Sequence, residues 1–75
     1  MSFTLQQTKI SIIIAARNEE ENIEKCINSL LLQDYVINDF EIIVVDDHSF
    51  DRTVEIVELF CKKNNNIRLL KLVDK

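Results

Sequence analysis

Apolar residues fall along this chain in two kinds of pattern. Three runs are short and nearly continuous: Ile10-Ser11-Ile12-Ile13-Ile14-Ala15-Ala16, Ile42-Ile43-Val44-Val45, and Ile67-Arg68-Leu69-Leu70-Lys71-Leu72-Val73. The first two are dominated by β-branched side chains, which are stiff at χ1 and favour strands. Their lack of clean alternation predicts strands buried on both faces, as in a parallel sheet. Between them the spacing changes. Ile23, Cys26, Ile27, Leu30 and Leu31 recur at i, i+3, i+4, i+7 and i+8, one stripe of an amphipathic helix. Val54, Val57 and Cys61, with Ile56 and Phe60, make a second such stripe.

The boundaries come from capping chemistry. Asn18 with Glu21 three residues on resembles a capping box, so the first helix is expected to start at Asn18 and end near Gln33. Glu19, Glu20 and Glu21 favour its positive end. Residues 34–39 then form a loop, and Phe40 and Glu41 lead into the second strand. Ser49 or Asp51 is expected to cap the second helix. Asn64-Asn65-Asn66 is expected to close it, because Asn tolerates the left-handed conformation. Residues 1–9 read as a polar lead-in, or a short strand if something pairs with it.

The order strand-helix-strand-helix-strand over residues 10–73 predicts one α/β domain. It is a Rossmann-like three-stranded parallel sheet of order 3-2-1 with two helices on one face. That arrangement leaves one sheet face bare and the isoleucine strand at an edge, which is an aggregation hazard. The chain therefore reads as a partial domain, or as a protomer that self-associates through that strand or that face.

Composition narrows the functional classes. The chain has 75 residues, 47% of them hydrophobic and 29% charged, enough for one small folded domain. Its net charge of −4 argues against nucleic acid, which demands a basic field. No apolar run approaches the roughly 18 residues of a membrane span, and the first residues lack a signal-peptide core. A cytoplasmic location is expected. There is no Gly and no Pro, which excludes glycine-rich phosphate loops. Cys26 and Cys61 sit at apolar helix positions and read as reduced core residues. With a single His they make no zinc site.

The chemistry concentrates where the second strand runs into Asp46-Asp47-His48-Ser49. In open α/β sheets ligands sit beyond the carboxyl ends of the strands. This topology sets that segment beside Ala15-Ala16-Arg17-Asn18-Glu19. A carboxylate there can accept from a ribose hydroxyl or a base N–H, and Arg17 can meet a phosphate bidentately. The bland alternatives are that Asp46 braces the loop, Arg17 neutralises carboxylates, and Glu19 belongs to a solvated first turn. His48 reads as a loop residue and Ser49 as a cap. Adjacent carboxylates on a strand end point apart, so a metal at the pair is not expected. A dinucleotide-binding domain would need the missing glycine fingerprint, and a receiver domain would place its acidic pair after the first strand.

Three segments together resemble the family 2 glycosyltransferases. They are Ile10-Ser11-Ile12-Ile13-Ile14-Ala15-Ala16-Arg17-Asn18-Glu19-Glu20-Glu21-Asn22-Ile23, Ser29-Leu30-Leu31-Leu32-Gln33-Asp34-Tyr35, and Phe40-Glu41-Ile42-Ile43-Val44-Val45-Asp46-Asp47-His48-Ser49-Phe50-Asp51-Arg52-Thr53. The resemblance implies part of a GT-A fold that binds a nucleotide-diphosphate sugar. It implies that Ala15 stands where the family has Pro or Thr near the base, and that Arg17 and Glu19 flank the nucleotide. Asp47 matches the carboxylate that contacts the base, and Asp46 supports it. It further implies a divalent cation, Mg or Mn, in the parent enzyme. The metal-binding Asp-x-Asp and the catalytic base of the family have no counterpart in this sequence. No catalytic residue or resident cofactor is therefore assigned, and weak nucleotide-sugar binding is expected. The parent enzyme could work at the cytoplasmic side of a membrane.

Overall fold

The computed structural model describes residues 2–6, 9–32 and 39–73. Six elements follow one another: β1 (Ser2–Gln6), β2 (Lys9–Ala16), α1 (Ile23–Leu31), β3 (Asp39–Asp46), α2 (Thr53–Lys63) and β4 (Ile67–Lys71). The three parallel strands expected from the apolar runs are β2, β3 and β4, in the expected spatial order. Ile12 pairs with Ile42 and Ile42 with Ile67, so the three strands run in step toward their carboxyl ends.

Of the two readings of the N-terminal segment, the short paired strand holds for Ser2–Gln6. Ser2–Gln6 pairs antiparallel with β2, Ser2 opposite Ile13 and Gln6 opposite Lys9, and makes the sheet four-stranded. This pairing satisfies backbone groups of β2 that an open edge would leave exposed. The edge beside Ile10 to Ile13 is thus paired within the chain.

The continuous apolar runs resolve into two unequal faces. Ile12, Ile14 and Ala16 of β2 and Ile42 and Val44 of β3 are buried with Ile23 and Ile27 of α1 and Val57 of α2 in one cluster. Their neighbours Ile13 and Ala15 are exposed, and Ile43 and Val45 half-buried. Both helices therefore cover the same face, as the crossovers require, and among the described residues no helix covers the opposite face. The expectation of burial on both faces fails for that reason.

Helix boundaries also differ from expectation. The N-cap of α1 is Asn22, four residues after Asn18, and the helix ends at Leu31. Residues 33–38, where the helix end and most of the loop were expected, lie outside the described residues. α2 starts at Thr53 and its C-cap, Asn64, has extended geometry (φ −134°, ψ 114°), not the left-handed one. Lys62 and Lys63 in its last turn complement the negative end of the helix dipole. β4 stops at Lys71, short of Leu72 and Val73.

Candidate functional site at the strand ends

Two loops leave the carboxyl ends of β2 and β3, and polar side chains lace them together. The Asn18 N–H donates to Ser49 Oγ (2.9 Å), and Asn18 Oδ1 accepts from the Phe50 N–H (2.7 Å). The Glu19 N–H donates to Thr53 Oγ1 (2.8 Å). The Glu20 N–H donates to Asp51 Oδ2 (3.1 Å), and Glu20 Oε1 accepts from the Arg52 N–H (3.0 Å). Without Gly or Pro, the chain holds its turns by these bonds. Asn18 pairs in both directions from a left-handed backbone (φ 52°), a conformation Asn tolerates better than most residues. It braces the loop and does not cap α1.

Strand alternation splits the acidic pair. Asp46 follows Ile42 and Val44 onto the helix-covered face and is only 3% exposed. A buried carboxylate must be hydrogen-bonded. Both its oxygens are engaged by Ser49, Oδ1 by the hydroxyl and Oδ2 by the N–H at 3.2 Å. Ser49 in turn receives Asn18, so Asp46 anchors the whole lace. Asp47 follows Ile43 and Val45 onto the bare face, half-buried. Its N–H donates to the Ala16 carbonyl (2.9 Å), which extends the β2–β3 ladder by one bond. Its Oδ1 lies 2.9 Å from His48 Nδ1.

Beside Asp47, Ala15 and Arg17 are exposed at the end of β2. A separate hollow of about 220 Å³, which neither Asp47 nor Arg17 lines, opens between the end of β2 and the start of α1, lined in part by Ala15, Ala16, Glu19, Ile23 and Cys26. Glu19 is exposed and acts mainly through its backbone: its carbonyl accepts from the N–H groups of Asn22 and Ile23 (2.9 and 2.8 Å), which turns the chain into α1. The five residues expected to flank a nucleotide thus converge at one end of the sheet, four of them at the surface and Asp46 beneath.

Asp51 and Thr53 carry more than the sequence suggested. The N-cap of α2 is Arg52, without a side-chain cap bond, and not Ser49 or Asp51. Asp51, one residue earlier, instead ties the loop, its Oδ1 accepting from both the N–H and the hydroxyl of Thr53 while its other oxygen reaches Glu20. Burial alone would raise the Asp51 carboxyl. The hydrogen bonds from Thr53 and Glu20 outweigh it and hold the group below its usual value of 3.8. Thr53 is fully buried and relays Glu19 to Asp51. The signal for these braces was the density of Asn, Asp, Ser and Thr around two adjoining strand ends, which Gly-free loops require.

Among the described residues no group of three or more His, Cys, Asp or Glu is placed to hold a metal ion. Asp46 and Asp47 point to opposite faces, and Asp46 is already engaged by Ser49. The divalent cation that the family resemblance implies does not fit this pair. Cys26 and Cys61 are free thiols, half-buried at the margin of the core and not within it. Burial, and secondarily the Glu58 carboxylate, push the Cys61 thiol up. No described helix is long and apolar enough to cross a membrane.

Parallel strands with covering helices, and polar loops gathered at their carboxyl ends, define a Rossmann-like α/β domain. Comparison with known proteins gives the family. The model of glycosyl transferase family 2 matches residues 11–74, and the chain belongs to that family. It is 41% identical over 61 residues to the glycosyltransferase AglE of Haloferax volcanii, covering 81% of this chain and 20% of that protein. It is 44% identical over 57 residues to the poly(ribitol-phosphate) β-N-acetylglucosaminyltransferase TarS of Staphylococcus aureus, covering 76% of this chain and 10% of that one. A crystal structure of S. aureus TarS in complex with UDP superposes with a TM-score of 0.72 at 40% identity, over 83% of this chain and 18% of the other. The fold is therefore part of a GT-A domain, and the chain spans a fifth or less of the length of these relatives.

Proposed function

We propose that this chain is the nucleotide-reading part of a family 2 glycosyltransferase that takes a sugar from a nucleotide-diphosphate donor. Asp47 accepts a hydrogen bond from the base, Arg17 approaches the diphosphate, Ala15 and Glu19 border the pocket, and Asp46 holds the loop from below. The observation that carries this reading is the split of the acidic pair. One carboxylate is consumed inside the fold, and the other stands on the open face beside Arg17, in a chain similar to a protein crystallised with UDP. In this reading the chain's part in the reaction is to bind the donor nucleotide. Leaving-group stabilisation by Mg or Mn, and activation of the acceptor, would fall to other parts of the parent enzyme. Two thiols kept free fit a cytoplasmic setting.

Titration of the chain with UDP and GDP, followed by NMR, tests the reading. A dissociation constant of roughly millimolar, about −4 kcal/mol, is expected for the better ligand. Asp47→Ala should weaken it at least about three-fold, the loss of one hydrogen bond to a charged group. Binding that survives the substitution unchanged would remove Asp47 from the site.

A second reading is favoured by the bare face, where Ile13 is 36% and Leu70 48% exposed beside Ile43 and Val45. In that reading the chain self-associates through this face. Sedimentation at micromolar concentration distinguishes a dimer, lost in Ile13→Glu, from a monomer that rules it out.

A further inference from the structure

The residue between the acidic pair and its serine has a conformation and a contact that the proposed nucleotide site does not by itself explain. His48 has φ 56°, one of two positive values among the described non-glycine residues. Such a backbone disfavours a side chain with a Cβ, and glycine would adopt it without penalty. The imidazole is turned so that Nδ1 lies 2.9 Å from Asp47 Oδ1, with its side chain 37% and that of Asp47 50% exposed. A carboxylate only accepts, so the proton between them belongs to Nδ1.

We propose that His48 is a positioning residue for base recognition. It holds one oxygen of Asp47 and thereby directs the other toward the ring N–H of the nucleotide base. The inference rests on the assignment of Asp47 to the base. An unheld carboxylate at a half-open strand end rotates freely about its terminal bond, and a bound base must then arrest it. A fixed one is arranged beforehand, which lowers the entropic cost of binding. The left-handed turn at His48 brings the ring back over the preceding residue. Asparagine reproduces both features, since its amide nitrogen occupies the position of Nδ1 and it tolerates the left-handed region.

Three variants of the 75-residue chain separate these roles, with UDP as the probe. His48→Gly accepts the backbone conformation and deletes the donor. His48→Asn keeps both. Asp47→Ala reports on the site itself. UDP affinity is expected to fall about three- to ten-fold in His48→Gly, the worth of one hydrogen bond. It should return to within about two-fold in His48→Asn, with the thermal midpoint of His48→Gly no lower than that of the parent. Nitrogen-15 shifts of the free chain should place the neutral His48 proton on Nδ1, and Asp47→Ala should erase that preference. If His48→Gly binds UDP like the parent while Asp47→Ala does not, the positioning role is overturned and the nucleotide site stands. If neither variant changes UDP binding, or the parent shows none, the site assignment fails and the role of His48 fails with it. An affinity loss in His48→Gly that His48→Asn does not restore also overturns it.

Discussion

Replacing Thr53 by Val probes the lace at its most buried point. Valine keeps the branched shape but exchanges the hydroxyl for a methyl. Two hydrogen bonds disappear: the one from the Glu19 N–H at 2.8 Å, and the one donated to Asp51 Oδ1. The site is fully buried at Thr53, so water cannot replace them there. A neutral intramolecular hydrogen bond is worth about 0.5–1.5 kcal/mol net, and one to a charged acceptor about 1.5–3. The second figure belongs at its low end, because Asp51 keeps N–H donors from Thr53 and Glu20 and is partly open to solvent. The expected loss is about 2 kcal/mol. That is a large share of the roughly 4–11 kcal/mol that a chain of this length can possess. It corresponds to a fall of about 10 °C in the thermal midpoint. Urea unfolding followed by circular dichroism should show a lower midpoint with an unchanged slope, since the exposed surface is the same. Amide exchange should accelerate at Glu19 before it does in the strands. A loss under about 0.5 kcal/mol, with Glu19 still protected, would refute the claim that Thr53 ties the two loops together.

Ser49→Ala should cost about 1–3 kcal/mol in the same urea assay, because it strips a hydroxyl donor from a buried carboxylate and leaves the Asn18 N–H without its acceptor; a neutral result would mean that Asp46 is satisfied otherwise. Asp51 has a folded-state pKa depressed below its ordinary value, so its contribution to stability is present above about pH 4 and is lost as the pH falls through the folded value. Asp51→Asn should accordingly be less stable than the parent at neutral pH, with the difference shrinking as the pH falls through the depressed folded-state value, and a pH-independent difference would contradict the linkage. Cys61, its thiol raised first by burial and then by Glu58, should alkylate at about pH 8 more slowly in the folded chain than in urea, and equal rates would show that the thiol is not shielded.

The parallel core was legible because β-branched runs and helical stripes name their elements without help from distant residues. The sheet order followed from the crossovers. What stayed hidden depended on partners far away in sequence. The N-terminal residues Ser2–Gln6 look like a polar lead-in until β2 offers them a pairing edge. Asn18 has every local feature of an N-cap, yet Ser49 and Phe50, more than 30 positions away, claim it first. Local propensity was overruled by tertiary hydrogen bonds, the usual fate of short polar signals. The convergence of Ala15, Arg17, Glu19, Asp46 and Asp47 could be read from topology, but the unequal surroundings of the two aspartates could not.

That inequality follows from one geometric fact. Successive strand residues point to opposite faces, and the helices cover only one of them. An acidic pair at such a strand end must therefore send one carboxylate inward and one outward. The inward group is tolerable only with donors, and here Ser49, three residues on, supplies two. The outward group is then carried on a loop whose course is already fixed, so it can be aimed without help from a ligand. Exchanging the roles would need a one-residue shift of β3, which would also turn Ile42 and Val44 out of the core. The register that buries the apolar cluster is thus the register that presents Asp47. Stability of the fold and presentation of the candidate ligand-reading group are set by the same backbone pairing of Ile12 with Ile42 and Ala16 with Asp46.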